Sequence, residues 1–158
     1  MIKLAIVSSK KYLKSKQAVA LISYLDEQKI YYEKILVDSE IENIQSEKDV
    51  DLIISVGGDG TALKAMTLGW NHSVPVLNLG SGRVGYLVNS LENIDFDSVI
   101  NKNFKNFKNR TPIIQNNNEK QPAFNEIVLI KNAPTRMLDM QIETYNQKVK
   151  VRADGLII

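Results

Sequence analysis

A chain of 158 residues can hold one ordinary domain, or one domain and part of another. Its composition, 44% hydrophobic and 24% charged with a net charge of only +2, fits a globular chain and gives no reason to expect nucleic acid as a partner. The absence of cysteine removes disulfides, thiol nucleophiles and thiolate metal sites and suits a cytoplasmic location; no apolar run reaches spanning length, so no membrane partner is expected.

In chain order, Ile2 to Val7 reads as a buried strand, and its apolar run is too short for a signal-peptide core. Ser15 to Gln28 carries Val19, Leu21, Ile22 and Leu25 at helical spacing, with charged residues opposite. Tyr31 to Val37 predicts a second strand, and the acidic Glu40 to Lys48 a weak helix or loop. Leu52 to Val56 is a third strand, a helix follows from about Thr61 to Gly69, and Pro75 to Leu79 is a fourth strand. This alternation predicts an α/β domain, a Rossmann-like parallel sheet with helices on its faces. Asp95 to Phe107 has Phe96, Val99, Ile100, Phe104 and Phe107 at helical spacing, most simply a core face.

Past an Asn- and Lys-rich stretch the pattern changes to strands without intervening helices: Pro112 to Ile114, Phe124 to Ile130, Leu138 to Tyr145 and Val149 to Arg152, with a hairpin turn at Tyr145 to Lys148. We therefore expect an α/β domain over 1–110 and an antiparallel β-rich domain from 111 to 158. The apolar Leu156-Ile157-Ile158 leaves a strand edge and an apolar face uncovered, which implies an incomplete β domain and favours self-association into a homo-oligomer.

The chemistry gathers where strands end. Ser55 to Thr61 reads Ser-Val-Gly-Gly-Asp-Gly-Thr, a glycine-rich hand-over from strand to helix. Such a place binds ligands in open α/β sheets, and helix N-termini favour anions. Gly57, Gly58 and Gly60 permit unusual backbone angles and close ligand approach. Asp59 has no place in a plain phosphate cradle; it makes sense as a metal ligand or as the acceptor of a proton from an attacking hydroxyl, against the alternative of a surface turn. Gly80 to Leu87 is a second glycine-rich loop, which in a parallel sheet opens on the same edge. Lys64, one turn into the helix, is either solvated or aimed at a phosphate, and no Walker A pattern is present. Asn125-Glu126 is either a solvated strand end or a pair in which Glu accepts from a ribose diol and Asn meets a base edge. Arg152 and Asp154 stand before the last apolar run; His72, the single histidine, reads as a solvated loop residue, so no zinc site is legible.

These motifs together resemble the NAD kinase family. Gly57-Gly58-Asp59-Gly60-Thr61 with Leu63-Lys64-Ala65 is similar to its signature. Gly82-Arg83-Val84-Gly85-Tyr86-Leu87 is similar to its Gly-x-Leu-Gly-Phe-Leu loop, Ala123-Phe124-Asn125-Glu126-Ile127-Val128 to its Ala-Leu-Asn-Glu-Val-Val strand, and Arg152-Ala153-Asp154-Gly155-Leu156-Ile157 to its Arg-Gly-Asp-Gly-Leu-Ile. The resemblance implies phosphoryl transfer from ATP or polyphosphate to the 2′-hydroxyl of the adenosine ribose of NAD, giving NADP, with a divalent metal, usually Mg2+. It implies Asp59 as proton acceptor. It also implies substrate contacts from Asp59, Gly60, Lys64, Asn125, Glu126, Arg152 and Asp154, and a phosphate loop of Gly57, Gly58, Gly60 and Thr61. Which residues would hold the metal is left open by the resemblance.

Three departures stand out. The family continues past Gly-Leu-Ile into a Ser-Thr-Pro-Thr-Gly-Ser-Thr-Ala-Tyr segment that contacts NAD, and this sequence stops before it. The family has Asn where Gly80 stands and Gly where Asn78 stands. The first motif is shared with diacylglycerol and sphingosine kinases, but Ala62 to Trp70 lacks their Glu-Val-x-Asn-Gly pattern. A lipid kinase and a nucleotide-binding or assembly module without turnover are the competing readings.

Overall fold

The computed structural model describes residues 2–37, 50–82, 85–103, 108–115, 121–132 and 135–158. The expected helix or loop at 40–48 lies outside the described residues. Four strands, β1 (Lys3–Ser8), β2 (Tyr31–Leu36), β3 (Leu52–Gly57) and β4 (Val76–Gly80), form one wholly parallel sheet in the order β2-β1-β3-β4.

Alternation along β1 and β3 divides the core. Leu4, Ile6, Leu52, Ile54 and Val56 face one side of the sheet; Ala5, Val7 and Ile53 face the other. The first side is covered by α1 (Lys16–Glu27), whose Ala18, Leu21 and Leu25 are buried. Val19, expected on that apolar face, is exposed instead. Ser15 starts α1 by accepting the Ala18 N–H at 3.2 Å. The second side is covered by α2 (Asp59–His72) through Ala65 and Leu68. Gly69 makes that packing close: a Cβ there would lie 2.3 Å from Val76 Cγ2 and 2.8 Å from the Val74 carbonyl oxygen.

α2 begins two residues earlier and ends three later than the spacing predicts. Gly58 is its N-cap, and Ser73, at φ 55°, ends it in the left-handed region. His72 therefore lies in the last turn of α2 and not in a loop, though it is exposed as expected.

The helix expected over 95–107 is shorter. α3 spans Phe96–Ile100, capped by Asp95 through the Ser98 N–H at 3.2 Å, and the chain turns out at Lys102 with φ 56°. Phe96, Val99 and Ile100 do join the α1 side of the core, while 104–107 lie outside the described residues. Tyr24 ties α1 to α3: its hydroxyl donates to Asp97 Oδ1 at 2.5 Å, and its ring stacks at a tilt on Phe96. That hydrogen bond to Asp97, with burial and the negative charge of Asp97 and Asp95, pushes the Tyr24 pKa up to about 12. At the N-terminal ends of β1 and β3, Lys102 pairs with Asp51 at 2.8 Å; with the Lys3 N–H it holds the Asp51 carboxyl below its ordinary value.

Beyond residue 108 the architecture changes to short antiparallel pairs. β5 (Val128–Ile130) pairs with β8 (Gly155–Ile157), and β6 (Leu138–Glu143) pairs with β7 (Lys148–Ala153) around the predicted hairpin turn. The expected strand at Pro112 to Ile114 is reduced to one antiparallel bridge, Ile113 to Ala123, and the expected strand from Phe124 forms only from Val128. Among the described residues from 108 onward, only Pro112 and Pro122 are buried. The fold class is thus α/β with a four-stranded parallel sheet, followed by antiparallel strand pairs.

Candidate active site

The strand order places the reversal of winding between β1 and β3, with β2 added on one side and β4 on the other. At such a switch point the loops at the C-terminal strand ends diverge and leave a crevice. Ser8, the last residue of β1, spans it by donating its hydroxyl to the Val56 carbonyl at 2.7 Å. The glycine-rich loop opens immediately beyond.

Gly57 and Gly80 face each other at the ends of β3 and β4, and the Ser81 N–H donates to the Gly57 carbonyl at 3.1 Å. Both glycine-rich loops therefore do leave the same edge of the sheet. A Cβ on Gly57 would sit 2.4 Å from Thr61 Oγ1, so this glycine makes room for the first turn of α2. Gly58 and Gly60 have nothing within 4 Å of a Cβ position; their bareness leaves the helix N-terminus open to a ligand. Left-handed backbone is not the reason for these glycines. Among the described glycines only Gly82 has a positive φ, 113°.

Asp59 is the first residue of α2, where a carboxylate is favoured by the helix dipole. Its Oδ1 accepts the Leu87 N–H at 3.0 Å and its Oδ2 the Tyr86 N–H at 3.2 Å. Gly85 is obligatory beside it, since a Cβ there would lie 2.5 Å from Asp59 Oδ1 and 2.8 Å from Val88 Cγ2. The carboxylate thus joins the two loops. Each carboxylate oxygen offers about two acceptor positions, so capacity remains for an incoming hydroxyl.

A second cluster lies along α2. Leu63, Lys64 and Thr67 face the segment Pro122 to Glu126 across a cleft of about 350 Å³. Lys64 is neither a free surface lysine nor aimed into open space: its Nζ donates to the Val37 carbonyl at 2.8 Å, just past the end of β2. Asn125 and Glu126 are exposed on the opposite wall. Arg152 and Asp154 are held elsewhere. Arg152 Nε lies 3.6 Å from Asp139 Oδ1, its cross-strand partner on β6, and Asp154 Oδ1 lies 2.6 Å from Lys131 Nζ. The predicted side chains therefore fall into three groups: Asp59 with the second loop, Lys64 with Asn125 and Glu126, and Arg152 and Asp154 in ion pairs with Asp139 and Lys131.

Sequence reasoning missed the polar support beneath the loops. Asn78, buried in β4, accepts the Ser55 hydroxyl at 2.7 Å, and Asn89 closes the second loop onto Asn78. An asparagine within the apolar run Val76 to Leu79 was the signal, because a buried polar side chain requires a partner. Among the described residues no group of three or more His, Cys, Asp or Glu is placed to hold a metal ion.

The family description "ATP-NAD kinase N-terminal domain" matches residues 7–107. The NAD kinase of Methanothermobacter thermautotrophicus is 33% identical over 114 residues, which cover 70% of this chain and 40% of that one. The NAD kinase of Flavobacterium johnsoniae is 33% identical over 141 residues, 80% of this chain and 48% of that one. Among solved structures, an NAD kinase from Archaeoglobus fulgidus in complex with ATP is similar with a TM-score of 0.65 at 25% identity, over 99% of this chain and 59% of that one. The chain spans 40% and 48% of the length of those two curated relatives.

Proposed function

This chain belongs to the NAD kinase family, and from that premise we propose that it carries the phosphate-binding and base-bearing part of an enzyme that phosphorylates NAD at its adenosine-ribose 2′-hydroxyl, giving NADP. The observation that carries the reading is the Asp59 carboxylate, fixed by two amides at the bare N-terminus of α2.

In the proposed mechanism Asp59 accepts the 2′-hydroxyl proton as the ribose oxygen bonds to the terminal phosphorus of the donor and the bond to the leaving phosphate oxygen breaks. The open backbone at Gly58 and Gly60, with Gly57 and Thr61 shaping the turn, receives phosphate oxygens. Lys64, Asn125 and Glu126 form a wall for the dinucleotide along the α2 cleft. Arg152 and Asp154 complete the substrate contacts in the assembled protein. ATP is the first choice of donor, because the similar Archaeoglobus fulgidus structure is a complex with ATP; polyphosphate is the second. The divalent ion, taken as Mg2+ from the family resemblance, belongs to the donor complex, and no step here is routed through it.

We further read the chain as a 1–110 unit followed by a 111–158 unit, self-associating through its exposed strands and working in the cytoplasm. No described helix is long and apolar enough to cross a membrane. The family match supports NAD phosphorylation over the diacylglycerol-type alternative. The test is NADP formation from NAD, ATP and Mg2+, with diacylglycerol as a second acceptor. NADP production supports the reading, diacylglycerol phosphorylation without NADP overturns it, and NAD binding without turnover points to the module that does not catalyse.

A further inference from the structure

We propose that Asn89 is a positioning residue for Asp59, acting through the second glycine-rich loop. The amides that hold Asp59 belong to Tyr86 and Leu87, three and two residues before Asn89. At Asn89 the chain returns to the strand it left. Its backbone N–H donates to the Asn78 carbonyl at 2.8 Å, its side-chain Nδ2 donates to the same oxygen at 2.9 Å, and its own carbonyl accepts the Gly80 N–H at 2.9 Å. The segment forms one parallel bridge with Leu79.

The anchor is rigid. Asn78 is buried and its side chain accepts the Ser55 hydroxyl at 2.7 Å, directly across the β3–β4 pair. Ser55 in turn lies four residues before Asp59. One buried bond therefore fixes the level of the strand that delivers the carboxylate against the strand that delivers its amide donors.

Asn89 itself is exposed. Solvation does not require its side chain to bond Asn78, because water would satisfy it equally, and the Asn78 carbonyl already accepts the Asn89 N–H. What the second bond adds is a fixed exit direction for residues 85–88. Small displacements of a reacting group carry large kinetic penalties, up to about 100-fold for 1 Å.

The experiment compares wild type with Asn89→Ala and with Asn89→Asp, which keeps the shape but loses the donor; Asp59→Ala serves as the control that removes the held group. Amide hydrogen exchange on the 158-residue chain is read at Tyr86 and Leu87, with Ile6 and Ile54 as core references. Both Asn89 variants are expected to exchange about 10-fold faster at Leu87 and Tyr86, the scale of one lost hydrogen bond, with the core amides unchanged. Unchanged exchange at Leu87 overturns the proposal, as does acceleration in Asn89→Ala but not in Asn89→Asp, which would indicate packing instead of donation. A turnover arm, which alone rests on the proposed function, uses the full natural protein: kcat for NADP formation falls about 10-fold or more while KM for NAD stays within about 2-fold. Faster exchange with unchanged kcat also overturns the positioning role. If wild type forms no NADP, the functional reading fails, and the exchange data alone decide whether Asn89 sets the loop.

Discussion

The two halves of this chain bury themselves very differently. In the parallel sheet, every residue from Leu4 to Ser8 and from Leu52 to Gly57 is buried, because helices cover both faces. In the antiparallel region Val128, Leu129, Ile130 and Ile157 are exposed, although their sequence is as apolar as that of β3. Apolar composition alone does not make a core. What differs is the presence of a second layer, which α1, α2 and α3 supply on one side of residue 108 and which, among the described residues, the strand pairs beyond it lack. The half with the core holds the Asp59 carboxylate between two backbone amides, and the half without it carries the exposed Asn125, Glu126, Arg152 and Asp154. Two-stranded antiparallel pairs are marginal alone.

The sharpest test of this division acts on chemistry and not on stability. Asp59→Asn in the full natural protein is expected to lower kcat for NADP formation by about 100-fold to 10,000-fold while thermal unfolding stays cooperative; retained turnover would remove Asp59 from the base role. Next, Leu25→Ala, in the α1 core, is expected to cost about 2–5 kcal/mol in urea unfolding, whereas Ile157→Ala, in β8, is expected to cost about 0.5 kcal/mol or less. Equal losses would erase the distinction between the halves. Gly69→Ala should cost about 1–3 kcal/mol, because its new methyl meets Val76 and the Val74 carbonyl. A smaller effect concerns Tyr24, whose pKa is raised in the fold to about 12. Its contribution is complete below the ordinary tyrosine value near 10 and is lost as pH climbs from there through about 12. Tyr24→Phe should therefore flatten the alkaline fall in stability, at a cost of about 1 kcal/mol near neutral pH. The smallest change belongs to Asp51, whose carboxyl is held low by Lys102 and the Lys3 N–H. Its contribution is present above the ordinary carboxylate value and is lost as pH falls through the lowered one, so Asp51→Asn should lose less than wild type on acidification.

The parallel sheet was legible because its strands are short apolar runs separated by a helix-period segment and by glycine punctuation. β1, β2, β3 and β4 fall within a residue or two of their expected bounds. Helix ends were less legible. The start of α2 moved back to Asp59 because a carboxylate and an extended Gly58 make a good first turn, a feature that reads from sequence as part of the loop. Asp95 to Phe107 has a sustained helical period, yet α3 stops at Ile100; Lys102 adopts a left-handed backbone and its side chain is engaged by Asp51, a partner 51 residues away that periodicity does not encode. The glycine loops were legible as a pair. Their coupling through Asp59 was not, since it depends on backbone amides, which every residue type but proline carries. Nor did sequence indicate that Lys64 would be occupied by the Val37 carbonyl.

One feature of α2 has a mechanical consequence. At Gly69 the helix presses against Val76 and the Val74 carbonyl, while at Gly58 and Gly60 nothing stands within 4 Å of a side-chain position. The ten helical steps from Asp59 to Gly69 span about 15 Å at the helical rise. The helix is thus packed closely at Gly69 and tied at its first turn to the second loop through Asp59, with only the backbone at Gly58 and Gly60 left bare. Held at Gly69 on one side and through the Asp59 carboxylate on the other, the segment presents the bare backbone of Gly58 and Gly60 on a stiff support.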